Sequence, residues 1–298
     1  MRTQKRFTPA LLERFARLGR GTGTYQDYIP WHRVGRGDPS SRGRSHLMMW
    51  KDRQRELLSD GEWVGLLFGT LLNTVKDLRE QLKLSLDDGP LELENYDARY
   101  TGQIFPGTRS IAKQLGFKHP RVNGEGRSED WVMTTDQVLF LLHPDGHLEL
   151  LAVSCKPNRE ALTKRDRQLL SIEAAYWAAR SVEWILITPD LFEESVGLTL
   201  RRTAPWGLGA PVTPAAIRAA VIITEHLLGH SLNFTLDALT VQLGGVDLAQ
   251  RAFWQAVWCG ALPVDLTCGW RPHLPIQLLD PAGFTALNPV ASRRSAWN

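Results

Sequence analysis

The stretch Met133-Thr-Thr-Asp-Gln-Val-Leu-Phe-Leu-Leu142, turned by His143-Pro-Asp-Gly146 and answered by His147-Leu-Glu-Leu-Leu-Ala-Val-Ser-Cys-Lys156, reads as a β-hairpin. Its first arm is an apolar run with an acid near the start, and Pro144-Asp145-Gly146 is a strong turn signal. Folding the two arms together brings Lys156, at the far end, back beside Asp136. Ser154 and Lys156 are two residues apart and share a face of the second strand, because side chains alternate along a strand. Downstream, Asp166 to Ala179 has a helical apolar face of Leu169, Leu170, Ile172, Ala175 and Tyr176, with Glu173 at its rim. Trp184 to Thr188 then reads as a third strand, closed by Pro189. Strands interleaved with a helix in this order predict an α/β layer.

Upstream, Ser59-Asp60 is a helix N-cap, followed by the apolar stripe of Trp63, Leu66, Leu67 and Thr70 to Leu72. Glu62 falls in the first turn of that helix, and short extended runs follow Asp77-Leu-Arg-Glu-Gln81. Further upstream, Gly19 to Ser45 is rich in Gly, Arg, Ser and Pro, with Tyr25, Tyr28 and Trp31 interspersed, and reads as a flexible basic arm. The glycines at 19, 21 and 23 do not make a phosphate loop, since no apolar strand precedes them and no lysine follows. At the other end, Pro205 to Pro211 reads as a linker, and helices are expected from Pro214 through His226, from Thr235 through Leu243 and from Asp247 to Cys259. Short strands at Leu262–Leu266 and Leu274–Leu278, around Gly269, complete a winged-helix order. The expected organisation is a basic arm over 1–55, a catalytic domain over 56–202 and a winged-helix domain over 203–298.

The whole chain carries a formal charge of only +3, but its distribution is uneven. Through Arg55 there are thirteen Lys and Arg against four acids, a balance of +9, whereas from Thr203 onward five Arg meet five acids. The N-terminal part is thus suited to phosphates and the C-terminal part is not. Cys155, Cys259 and Cys268 match neither a disulfide framework nor a zinc motif, which points to a reducing cytoplasm. Glu13, Arg14 and Arg17 interrupt the apolar residues near the start, so no signal peptide is expected, and no apolar run is long enough for a membrane helix.

An acid on a helix, an acid opening a hairpin and a lysine closing it form an arrangement suited to hydrolysing phosphodiesters. Glu62 and Asp136 would repel one another unless a hard divalent cation, Mg²⁺ or Mn²⁺, lay between them. The backbone carbonyl of Cys155 would be a further oxygen ligand, and Lys156 would orient or help deprotonate the attacking water and stabilise transition-state charge. Glu173 would support Lys156 or a water from one layer out. Each residue also has a plainer reading: Asp136 as a strand-entry cap, Lys156 as a snorkelling strand-end lysine, Glu62 as a solvated first-turn acid. His119, His143 and His147 have no zinc-like spacing and read as loop residues, and Glu149 as surface.

Six blocks tip the balance: Ser41-Arg-Gly-Arg-Ser-His46, Leu58-Ser-Asp-Gly-Glu62, Asp77-Leu-Arg-Glu-Gln81, Met133-Thr-Thr-Asp136, Val153-Ser-Cys-Lys-Pro157 and Ile172-Glu-Ala-Ala-Tyr-Trp177. In order and spacing, over about two thirds of the chain, they resemble the TnsA family of transposon-end endonucleases. The resemblance implies a restriction-endonuclease-like, PD-(D/E)xK N-terminal domain followed by a winged-helix domain, with Glu62, Asp136 and Lys156 forming a magnesium site. It implies cutting at the 5′ ends of a mobile element in a bacterial cell, beside a TnsB-like DDE transposase that processes the 3′ ends and a TnsC-like ATPase regulator. Many relatives carry Gln where this chain has Ser154, which the resemblance makes a shorter, neutral metal ligand that would reach the ion through water, and Gly61 is unusual inside a helix. By charge, the C-terminal domain is expected to contact the regulator and the arm to hold DNA or the transposase. Two rival readings stay open at this point. One is a stand-alone restriction or repair nuclease, and the other a non-catalytic DNA-binding adaptor whose carboxylates are structural.

Overall fold

The computed structural model describes residues 6–40, 44–268 and 271–297. Along the chain run α1 (Pro9–Arg17), β1 (His46–Trp50), β2 (Arg53–Leu57), α2 (Asp60–Thr70) and β3 (Val75–Lys83). Next come α3 (Thr108–Gln114), β4 (Arg121–Gly124), β5 (Arg127–Asp130), β6 (Thr134–Leu142), β7 (Leu148–Cys155), α4 (Lys164–Ala178) and β8 (Glu183–Ile187). The C-terminal part holds α5 (Glu194–Gly207), α6 (Pro214–His226), α7 (Leu232–Leu243), α8 (Val246–Trp258) and α9 (Pro281–Ala286). The chain divides into two compact units. The first takes the residues up to Trp63, Thr74–Leu186 and Trp297, and the second takes Val64–Asn73 and Ile187–Ala296.

The first unit is built on a four-stranded sheet in the order β3-β6-β7-β8. The β6–β7 pair is the expected antiparallel hairpin, in register from Leu142↔Leu148 to Gln137↔Val153. Its turn is closed by the Gly146 N–H donating to the His143 carbonyl, and Gly146 takes the left-handed φ of +81° that glycine tolerates. In β6, Gln137 to Leu141 are all buried, as a central strand covered on both faces requires. The chain then crosses through α4 to reach β8. Helix α4 starts two residues earlier than its apolar pattern suggests, because Thr163 and Asp166 form a reciprocal capping box. Its inward face, Ile172, Tyr176 and Trp177, joins Val138, Phe140, Leu150 and Ala152 of the sheet in one core, with Leu169 and Ala175 packed against it.

Two expectations for the N-terminal part are corrected. Residues 77–81, expected only to precede short extended runs, lie inside a nine-residue strand antiparallel to β6. The region expected as a flexible arm is folded onto the same unit. Leu12 and Phe15 of α1 pack with Trp31 and Val122, and the Trp31 N–H donates to the Gln81 carbonyl of β3. Burial of those aromatics outweighs the Gly- and Arg-rich composition. In the β1–β2 hairpin, Arg53 and Arg55 point inward, and Arg53 holds Glu80 through two 2.6 Å hydrogen bonds. Residues 41–43, the start of the first motif block, lie outside the described residues.

In the second unit, α5 packs on α8, with the Thr199 hydroxyl donating to the Leu266 carbonyl. The linker expected at Pro205 to Pro211 is therefore shifted: Pro205 falls inside α5, near its C-terminal end, and the expected 202/203 boundary falls inside that helix. Helix α7 begins at Leu232, not Thr235, since Ser231 caps it by accepting from the Phe234 N–H. Beyond α8 the expected pair of strands is reduced to a single bridge, Val264↔Leu278, flanked by Asp265 N–H to the Gln277 carbonyl and Leu279 N–H to the Pro263 carbonyl. Gly269 of that turn lies outside the described residues. No helix among the described residues is long and apolar enough to cross a membrane.

Candidate active site

Glu62, Asp136, Lys156, Ser154, Cys155 and Glu173 all belong to the first unit, and the fold brings them to one end of the β6–β7 ladder. Glu62 sits at the third position of α2. Its N–H donates to the Ser59 hydroxyl (3.1 Å), while its carboxylate accepts from the Leu58 N–H (3.0 Å) and the Ser59 hydroxyl (3.3 Å). These local bonds turn the side chain back over the start of the helix, and the buried Gln137 carboxamide donates to the Glu62 carbonyl. Asp136 accepts from the Cys155 N–H across the hairpin (2.8 Å), and the Lys156 ammonium stands 3.4 Å from the same oxygen.

The two acids are joined through Gln81, whose carboxamide nitrogen donates to both Glu62 and Asp136 at 3.2 Å. Burial, and then repulsion from Asp136, push the Glu62 carboxyl up to about 8. Lys156 shows the opposite balance: burial opposes its charge, but Asp136 and Glu173 together hold the ammonium above its ordinary range. It therefore stays protonated near neutrality, which favours the orienting and electrostatic role over proton abstraction.

Glu173 forms a second cluster behind the first. Its Oε1 accepts from the Thr135 hydroxyl (2.7 Å) and the Ser154 hydroxyl (2.6 Å), and those hydroxyls accept in turn from the indoles of Trp177 (2.8 Å) and Trp184 (3.2 Å). Burial and the Asp136 charge push Glu173 up to about 6. Ser154 is thus turned toward Glu173 and away from the acid pair. Cys155 is buried, and burial with the nearby carboxylates keeps its thiol neutral, so only its backbone is available to the site. Asp136, Lys156 and Glu173 share the wall of an open pocket of about 190 Å³ with Trp131, Met133 and Leu169.

Residues 73–189 match a family model described as the TnsA-like endonuclease N terminal. Across this segment the chain is similar to the TnsA-like endonucleases. The match takes in β3, the β6–β7 hairpin and α4, hence Gln81, Asp136, Lys156 and Glu173, while Glu62 lies before it. The transposon Tn7 transposition protein TnsA of Escherichia coli is 33% identical over 185 residues, which is 61% of this chain and 58% of that protein. The chain thus spans 58% of the length of this curated relative.

Among the described residues no group of three or more His, Cys, Asp or Glu is placed to hold a metal ion. The donor set at this end of the hairpin is instead the Glu62 and Asp136 carboxylates with neutral oxygens. That set fits Mg²⁺, which commonly binds through one or two carboxylates and keeps waters or substrate phosphate as its other ligands. Burial first and repulsion from Asp136 second raise the Glu62 carboxyl, a repulsion that a cation between the acids would relieve, and the buried Gln137 Oε1 has no hydrogen-bond partner.

Proposed function

We propose that this protein is a Mg²⁺-dependent DNA endonuclease that cuts the 5′ ends of a transposon during cut-and-paste transposition. The observation that carries the reading is the convergence of Glu62, Asp136 and Lys156, from α2, β6 and the residue after β7, with Asp136 and Lys156 inside the segment that matches the TnsA-like endonuclease model and Glu62 joined to Asp136 through Gln81. Glu62 and Asp136 would hold the ion, with the Cys155 carbonyl as a neutral ligand, and Mn²⁺ would substitute. A bound Mg²⁺ supplies Lewis-acid polarisation of the scissile phosphate and neutralises its charge. Lys156 adds a fixed positive charge and a donor where negative charge builds up in the transition state. Glu173, held by Thr135 and Ser154, keeps Lys156 aimed at Asp136 through its negative charge.

The proposed partners are transposon-end DNA, a TnsB-like DDE transposase that processes the 3′ ends, and a TnsC-like ATPase regulator. The α6–α8 helices and the bridge after them support a winged-helix reading of the second unit, and its even balance of charge favours a protein partner over DNA. A plasmid-nicking assay with Mg²⁺ or Mn²⁺, with and without the cognate transposase, tests the proposal. Lys156→Ala and Asp136→Ala are each expected to lower the rate at least ~100-fold, the scale of losing a group that acts on transition-state charge. Parent-like nicking by both variants would remove the site assignment, and cutting without any partner would favour a stand-alone restriction or repair nuclease.

A further inference from the structure

Gln81 is neither one of the acids nor the lysine of the site, yet it touches both acids. Its carboxamide nitrogen lies 3.2 Å from a Glu62 oxygen and 3.2 Å from an Asp136 oxygen, and its Oε1 accepts from the Thr134 hydroxyl at 3.0 Å. The Thr134 hydroxyl occupies the amide oxygen, which leaves the nitrogen to face the two acids. The backbone is specialised to deliver it. Gln81 takes a φ of +49° inside a strand, a region that non-glycine residues rarely occupy, and the β3–β6 register, Glu80↔Gln137 and Leu82↔Thr135, runs unshifted past it and sets it opposite Asp136. Its carbonyl is tied down by the Trp31 N–H (3.2 Å) and the Tyr28 hydroxyl (3.3 Å) of the folded N-terminal segment.

We propose that Gln81 is a positioning residue that braces Glu62 and Asp136 at the spacing a divalent cation needs. The inference rests on the metal-site reading above and adds the group that pre-forms the site. The choice of residue type follows from charge. A lysine or arginine here would neutralise the acids and compete with the cation, and a glutamate would add a third repelling charge. A neutral amide donates to both carboxylates and leaves their charges for the ion. Each carboxylate oxygen has two acceptor sites, so the amide N–H bonds and a cation can share it. Thr134 fixes which way the amide faces.

The test is Mn²⁺ binding to the purified full chain by titration calorimetry, with melting in chelator as a parallel readout. Gln81→Met keeps the length and removes the donors, and Thr134→Val leaves the amide unsecured. Gln81→Met is expected to weaken Mn²⁺ binding about 10–100-fold, the range for partners that orient metal ligands. Thr134→Val should produce a smaller loss of the same sign. A purely structural role would lower the melting temperature and leave the affinity of the folded protein alone. Affinities of both variants within twofold of the parent overturn the inference, provided that the parent binds and Asp136→Ala does not. If Gln81→Met fails to fold, Thr134→Val decides by itself. A parent that takes up no Mn²⁺ removes the metal-site reading and this inference with it.

Discussion

Glu62 and Glu173 are both buried carboxyls near Asp136, but their partners differ, and so does their expected behaviour with pH. Glu173 is bonded to two hydroxyls and lies close to Lys156, which limits its rise to about 6, while Glu62 rises to about 8. In both cases the folded-state value lies above the ordinary 4.5. The folded protein therefore keeps protons that the unfolded chain has released, so stability without metal falls as pH rises from about 4.5 and levels off above about 8. Melting temperature measured in chelator from pH 5 to 9 should show this decline. Glu62→Gln should flatten its upper part, from about pH 6 to 8, and leave the lower part due to Glu173. A flat parent profile would mean that Glu62 is ionised throughout in the folded protein. Because a cation must displace the Glu62 proton, Mn²⁺ affinity should tighten between pH 6 and 8, which calorimetry at several pH values would read.

At the level of elements, helix starts aim the site. Helix α2 carries Glu62 at a start capped by Ser59, and α4 carries Glu173 behind the Thr163–Asp166 capping box. Thr163→Ala should cost about 1 kcal/mol of stability, by urea denaturation, without moving Mn²⁺ affinity, since it loosens a helix end well away from Glu173. Gly61 is the reverse case. A Cβ there would meet only Cys155 and Ser59 atoms at 3.8 Å, ordinary contact distance. Gly61→Ala is therefore expected to stabilise the protein by about 0.4–1 kcal/mol through the unfolded chain, and a loss of stability would show that the backbone needs glycine's freedom.

For the whole molecule, fold and site differ in what they draw from the N-terminal charge. Arg20 is paired with Asp38, Arg33 with Glu56, and Arg53 and Arg55 with Glu80, so these cations serve the fold. Arg14 and Arg17 lie on the exposed face of α1, opposite the buried Leu12 and Phe15, and are open to phosphates. Replacing both by Ala should weaken DNA binding and reduce the slope of log affinity against log salt by roughly one for each phosphate left unneutralised. An unchanged slope would place the DNA path elsewhere. Melting temperature should stay near that of the parent, because neither side chain is buried.

Read alone, the sequence determined the hairpin from Met133 to Lys156, the helices carrying Glu62 and Glu173 and the three helices from Pro214 to Trp258, with ends shifted by a few residues. Those segments have periodic apolar residues and local turn or cap signals, and local signals survive in a one-dimensional string. Only the tertiary structure decided the rest. Val75–Lys83 is a strand although Asp77, Arg79, Glu80 and Gln81 interrupt its apolar pattern, because its charges are answered by Arg53, Arg55 and the Tyr25 N–H, residues distant in sequence. The arm likewise became structure through the packing of Tyr28 and Trp31 against that strand. Gln81 escaped notice as a site residue for the same reason. Its meaning lies in two acids 19 and 55 residues away, and no spacing along the chain announces such a meeting.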